Sequence, residues 1–371
     1  MTAPERAAIS ESELEAFVAI HRGPVFRPGD ASYEGARRVW NGLIDKRPAV
    51  IARPTGVADV AASVSFGRAH GLPIAIRGGG HNVAGFATCD DGIVIDLSGM
   101  KGIDVDPTER TARAQAGVLW GELDRETQVY GLATPGGEVS ITGIAGLTLS
   151  GGVGYLRRKH GLSSDNLVSV DVVTADGQAL RASESENEDL FWALRGGGGN
   201  FGVVTSFEYR LHDVGPEVMA LTVAYPAAAA RDVLQAWRAF TREAPDEVTT
   251  AALLWTVPPL PDFPAAIHGE PVIILDGLYA GATGEGEQIV APLRELGDPL
   301  FDLSGKTTYV AAQSAMAPMT PSVSSWSLCA LVGQPRSRTR GEAVRSPQRA
   351  SHLAVDARLP GSCRGSASNT T

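Results

Sequence analysis

Apolar residues recur along the chain with two different periods, and the points where the period changes mark its elements. Near the N-terminus Leu14, Phe17 and Val18 share one face of a helix. The Ser12 and Glu15 pair reads as its capping box and Gly23 as its stop. A second helix is predicted through residues 34–40. A strand over 49–52, ended by Pro54, precedes a helix over 57–70, ended by Gly71. A strand over 73–77 then runs straight into Gly78-Gly79-Gly80-His81. From there the pattern reads as antiparallel. It predicts a strand over 92–97, a hairpin of 103–105 and 111–114 around Pro107, and a helix over 119–130 stopped by Gly131. A second hairpin, 167–174 and 179–182, turns on Asp176-Gly177. A short helix over 187–195 and a strand over 203–211 close this part. After Pro216 come strands over 221–225, 251–257 and 271–279, with helices over 228–240 and 286–296. That is a second α+β unit, one sheet with covering helices. Periodicity stops beyond about Ala317.

The 371 residues leave room for two to three domains of about 150 residues. Hydrophobic residues make up 43%, which predicts a soluble globular chain. No apolar run reaches about 18 residues, so no membrane partner is expected. The first residues carry no apolar stretch behind a basic one, which leaves the cytoplasm as the expected location. A net charge of −10 argues against nucleic acid as a partner. The charge is uneven. Residues 332–371 hold seven arginines against Glu342 and Asp356, a local excess of +5. From Pro335 on, Arg, Ser, Pro, Gly and Ala dominate and predict disorder. Out-of-frame translation of a GC-rich gene gives this composition. The expectation is a native frame lost between Ala317 and Gln334, with a functional basic tail as the alternative. Cys89, Cys329 and Cys363 are too scattered for a disulfide framework or a metal site.

Glycine is the outlier, at 43 residues where an average chain of this length has about 7%. Three clusters hold much of the excess. Arg77-Gly78-Gly79-Gly80-His81-Asn82 lies at a strand end, where successive glycines let main-chain N–H groups converge on an anion such as a pyrophosphate. The second cluster runs from Pro135-Gly136-Gly137 through Ser140, Thr142, Gly143, Gly146, Gly151, Gly152 and Gly154. It reads as too glycine-rich for a helix and too long for a turn, so a planar polar cofactor is one source of partners for its backbone. The third contains Gly197, Gly199 and Gly202 in G-x-G-x-x-G spacing. A helix precedes it and a strand follows, the reverse of a dinucleotide-binding βαβ unit, so a nicotinamide site is excluded.

Ile76 to Asn82 resembles the pyrophosphate loop of the covalent flavoprotein oxidases, the vanillyl-alcohol oxidase / p-cresol methylhydroxylase (PCMH) superfamily, in its berberine-bridge-enzyme-like branch. Val139 to Tyr155 with Lys159 to Leu167, and Asp189 to Thr205, match two further motifs in the same order. The resemblance implies FAD held between two α+β lobes. It implies that His81 bonds the flavin 8α-methyl and that Arg77, Gly78, Gly79, Gly80 and Asn82 surround the diphosphate. Thr142, Gly146 and Gly152 would line the flavin, Val203 and Val204 the adenine end, and Gly151 and Gly154 would also bind the cofactor. Ser140 stands where bicovalent members carry a second attachment, a cysteine. Serine forms no thioether, so a single covalent bond at His81 is expected. Asp165 and Asn166 are expected to hold their loop, and His160 to be structural.

The expected fold class is α+β: a two-lobed PCMH-type FAD-binding domain, then an incomplete α+β substrate domain with an antiparallel sheet. The boundaries are 1–45 for N-terminal helices, 46–214 for the FAD domain, 215–320 for the partial substrate domain and 321–371 for the basic tail. The implied activity is hydride removal from an alcohol, hemiacetal or amine carbon of a small-molecule substrate, with dioxygen as acceptor. An FAD dehydrogenase with another acceptor and a truncated, inactive flavin-binding protein are the alternatives. The closing motif of the family is missing, and no catalytic residue is assigned.

Overall fold

The computed structural model describes residues 9–315, apart from 260, 262, 264 and 283, together with the strand Cys329–Val332. The described residues fall in one unit, residues 1–335. The tail expected to be disordered and out of frame lies outside them, except for that strand.

Two sheets share one helix. Val50–Ala52, Ile93–Asp96 and Ile74–Arg77 pair in parallel in that spatial order, with Val25–Phe26 antiparallel at the edge. The second sheet is antiparallel and five-stranded, in the order Ile103–Asp106, Thr111–Gln115, Val203–Arg210, Leu167–Val173 and Ala179–Ser183. Helix Val57–Ala69 fills the gap. Its Phe66 packs with Val50, Ala52 and Ile93, while its Val60 and Val64 join the core under the second sheet. These are the two lobes of the expected α+β fold.

The pattern missed in four places, each with a local cause. The N-cap of the first helix, Glu11–Ile20, is Ser10, whose hydroxyl accepts from Glu13 N–H while the Glu13 carboxylate returns to Ser10 N–H. Two serine–glutamate spacings overlap here, and the earlier one closes the box. The second helix is only Tyr33–Ala36, because Trp40 N–H is drawn off to the Gly80 carbonyl. Ile93–Asp96 is a central parallel strand, all four residues buried, not the start of the antiparallel part. A continuous apolar run is the mark of a strand covered on both faces. Within the second glycine stretch, residues Ile144–Leu149 do form a helix, with Gly146 on its exposed side.

The second part of the chain builds a six-stranded sheet on Glu217–Pro226, Pro271–Tyr279 and Val248–Thr256. Phe301–Asp302 and Gly305–Thr308 pair on one side of it and Cys329–Val332 on the other. Helices Ala230–Glu243 and Gly286–Arg294 cover one face through Val233, Trp237, Val290 and Leu293. The opposite face turns toward the second glycine stretch. No helix among the described residues is long and apolar enough to cross a membrane.

Helix Tyr309–Ser314 returns the chain to the first part. Gln313 Nε2 donates to Asp124 Oδ2 at 3.2 Å and to the Gly137 carbonyl at 3.0 Å. Asp124 is 1% exposed, and burial pushes its carboxyl up to about 7 against the single opposing hydrogen bond. The native state therefore keeps a proton up to about pH 7 that an unfolded aspartate releases near ~3.9. Stability from this group is full below that lower value and is lost as pH rises through the window. Asp124→Asn is expected to flatten the fall in melting temperature between about pH 4 and 7. An unchanged slope in that variant would refute the assignment.

Candidate functional site

Strand Ile74–Arg77 delivers the first glycine loop. Among the described residues, no protein acceptor meets the N–H groups of Gly78, Gly79, Gly80, His81 or Asn82. Five successive main-chain donors without protein partners can serve as an anion nest. A cavity of about 220 Å³ opens on this loop, bounded across from it by Arg38, Val39 and Trp40. That is below the ~300–1,000 Å³ of a whole small-molecule site and suits one segment of a longer ligand. The loop is fixed from beneath. Arg77 is buried, and its guanidinium donates to the carbonyls of Ala36 and Arg38 and to Asp96 at 3.0 Å. Arg53 reaches the same carboxylate at 2.9 Å. Burial alone would raise the Asp96 carboxyl, but the two arginines hold it below its ordinary range. The Arg77 side chain thus anchors the loop, and Arg77 also lines the cavity above it.

His81 follows the last glycine. Its ring stacks on Trp40, 5.3 Å between centroids and 19° between planes. Burial lowers its proton affinity below that of an ordinary histidine, so the imidazole is neutral at pH 7. Asn82 is exposed and serves the loop: its Oδ1 accepts from Phe86 N–H at 3.0 Å and its carbonyl from Gly85 N–H.

The second glycine stretch lies directly against the first loop. A Cβ on Gly79 would stand 2.3 Å from the Gly143 nitrogen, and one on Gly143 would stand 2.3 Å from the Gly79 nitrogen. Main chain meets main chain, and no side chain fits between. Gly136 meets the Trp120 ring, Gly154 the Gly136 carbonyl, and Gly152, at φ +87°, the Ser163 side chain. Gly151 and Gly152 are tied by their carbonyls to Ser164 and Ser163 N–H. Of the predicted residues in this stretch, Ser140 is buried, Thr142 is half-buried, and Gly146 has open space where a Cβ would point. Val203 and Val204 have both side chains 2% exposed, in the core that Ile144, Ala145 and Leu149 of this stretch also join. The loop-holding residues act as expected. Asn166 Nδ2 donates to the His160 and Leu162 carbonyls, and Asp165 accepts from Leu162 N–H. His160 stacks on His212 at 3.8 Å, and burial drives its proton affinity down to about 4.

Side chains to which sequence reasoning gave no role meet where the second glycine stretch faces the open sheet. Asp276 Oδ2 accepts from the Tyr155 hydroxyl at 2.7 Å, and its Oδ1 from Thr222 at 3.0 Å. Glu138 is paired with Arg157 at 3.0 Å. The signals were present: Asp276 is the lone charge in the strand Pro271–Tyr279, and Glu138 the lone charge in its glycine stretch. A single acid in an apolar strand is costly unless it has a task. No cluster of metal-ligating side chains occurs among the described residues.

Residues 48–183 match the family model of the FAD binding domain. The chain is 33% identical over 294 residues to an FAD-linked oxidoreductase of Dictyostelium discoideum, covering 78% of this chain and 61% of the relative. It is 42% identical over 199 residues to (R)-6-hydroxynicotine oxidase of Paenarthrobacter nicotinovorans, covering 54% and 43%. The crystal structure of 6-hydroxy-D-nicotine oxidase from Arthrobacter nicotinovorans superposes with a TM-score of 0.73 at 33% identity, over 80% of this chain and 64% of that one. The chain carries an FAD binding domain, and its solved-structure neighbours include, besides the nicotine oxidase, a BBE-like protein of Physcomitrella patens. A chitooligosaccharide oxidase also superposes, with a TM-score of 0.70 at 26% identity, over 82% of this chain and 63% of that one. The chain spans about three-fifths of the length of the Dictyostelium relative. Its glycine nest, its neutral histidine and the side-chain-free contact between Gly79 and Gly143 fit an FAD diphosphate and its flavin.

Proposed function

We propose that the protein is an FAD-dependent oxidase of a small molecule, with the flavin carried on His81. The run of unpartnered main-chain N–H groups from Gly78 to Asn82 supports this best, because it offers a diphosphate five donors at once beside a neutral imidazole. FAD, when bound, supplies the hydride acceptor. The chain's own residues do the rest. The nest holds the diphosphate, Arg77 and Asp96 keep the nest in place, and Trp40 orients the His81 ring. The Ser140 hydroxyl offers no thiol for a second attachment, so the tether is single. Dioxygen as electron acceptor is supported by relatives named as oxidases.

The test is to saturate the purified chain with FAD and add (R)-6-hydroxynicotine, chitooligosaccharides and glucose separately. Flavin bleaching without air and peroxide formation in air are the expected results. Bleaching without peroxide would replace dioxygen by another acceptor. Failure to retain FAD would overturn the reading altogether.

A further inference from the structure

We propose that Asp276 is the residue that takes the substrate's proton, held for that task by Tyr155 and Thr222. The inference rests on the flavin-dependent reading above and names the group that completes it.

The argument starts from sheet register. In antiparallel pairing Thr222 lies opposite Asp276, and Asp276 opposite Ala251, so the three stand abreast on one face. Alternation puts Ala220, Ala224, Ile274 and Leu253 on the same face. Ala220, Ile274 and Leu253 are only half-buried, though Ala224 is sealed, whereas the alternate residues Leu221, Val223, Leu275 and Ala252 all lie under the two helices. This open face is apolar or small except at its centre, where Asp276 stands. Asp276 keeps partial exposure although atoms crowd it from the sheet and from the glycine stretch. It therefore stays reachable from solvent between the sheet and the glycine stretch.

The partners of Asp276 leave it chemically ready. A carboxylate has about four lone-pair sites. Tyr155 occupies one on Oδ2 and Thr222 one on Oδ1, so each oxygen retains a free site and the plane of the group is fixed. Neither partner carries a positive charge. The nearby arginine, Arg157, is committed to Glu138 and to the carbonyls of Gly154 and Thr250. The groups facing Asp276 are thus the Tyr155 phenol, the Thr222 hydroxyl and, acting through its charge, the Glu138 carboxylate. Burial is the main cause that raises the Asp276 carboxyl to about 6, helped by Glu138 and opposed by the two hydroxyls. That is where a general base working near neutral pH is best placed. In the step, the O–H or N–H bond of the substrate breaks and its proton bonds to Asp276. The adjacent carbon loses a hydride with its electron pair to the flavin, and the product is a carbonyl or imine. The proton then leaves Asp276 to water.

Asp276→Asn keeps the shape and the hydroxyl contacts but cannot accept a proton. With full-length protein carrying FAD, kcat/KM on whichever of the three trial substrates is turned over is expected to fall by about 100-fold or more. The acid limb of the wild-type profile, near pH 6, is expected to vanish with it. Tyr155→Phe removes one donor to the carboxylate, so the same limb should move to higher pH with a smaller loss. Wild-type minus Asp276→Asn infrared titration needs no substrate. It should show one carboxyl band titrating near pH 6. A band titrating in the ordinary carboxylate range, or kcat/KM within twofold of wild type, would overturn the proposal. Loss of FAD from the wild-type chain itself would instead sink the flavin reading.

Discussion

After acid precipitation, His81→Ala is expected to release all of its flavin into the supernatant, while the unaltered chain leaves a yellow, fluorescent pellet. The chemistry follows from the state of the ring. Burial favours the uncharged imidazole, and stacking on Trp40 at 5.3 Å holds its plane. Among the described residues, neither ring nitrogen has a hydrogen-bond partner, so a lone pair is free to bond carbon. Because Ser140 cannot form a thioether, a single substitution should abolish covalent attachment completely. FAD should still bind reversibly, since the nest donors belong to the main chain and survive the change. Colour in the His81→Ala pellet would mean a second attachment. A colourless wild-type pellet from FAD-saturated protein would end the covalent claim. The measurement is flavin absorbance in pellet and supernatant.

The glycine sites were legible because their cause is local. A residue without a Cβ, repeated at a strand end, announces that something must come close, and Gly79 against Gly143 bears this out. The hairpin on Asp176-Gly177 was legible for the same reason, as its turn chemistry is written in two residues. What failed depended on distant partners. Ile93–Asp96 was seen as a strand, but its parallel neighbours lie up to 43 residues away in sequence and no local signal names them. Two further features also needed the fold to be seen: the Arg77 guanidinium is held by Asp96 and two carbonyls. The side chains of Val203 and Val204 lie in the sheet core, which leaves their expected place beside adenine resting on the resemblance. Asp276 was hidden differently. It reads as an interruption in an apolar strand, and only the fold shows that its face is the one the helices leave uncovered.

Gly143→Val and Gly146→Ala should part company, although Gly143 caps the short helix that carries Gly146. At Gly143 any Cβ lands 2.3 Å from the Gly79 nitrogen and 2.7 Å from its Cα. Both neighbours are main chain, so the clash cannot be relieved by a rotamer change. The two glycine loops must separate. Overpacking of this kind costs about 1–3 kcal/mol, and the displaced loop is the one whose N–H groups make the nest. FAD retention is therefore expected to be lost together with a lowered melting temperature. At Gly146 nothing lies within 4 Å of the new Cβ, and the residue is exposed inside a helix. Alanine there should raise the stability of the flavin-free chain by about 0.5–1 kcal/mol. If the flavin covers this open spot, the same methyl should weaken FAD by about tenfold, near 1.4 kcal/mol. Stability and affinity would then move in opposite directions in one variant and together in the other. Thermal melts without FAD and equilibrium FAD titrations read the two quantities separately. Unchanged FAD affinity in Gly146→Ala would place the flavin elsewhere along the second glycine stretch, whereas retained FAD in Gly143→Val would remove the contact with Gly79 as the foundation of the nest.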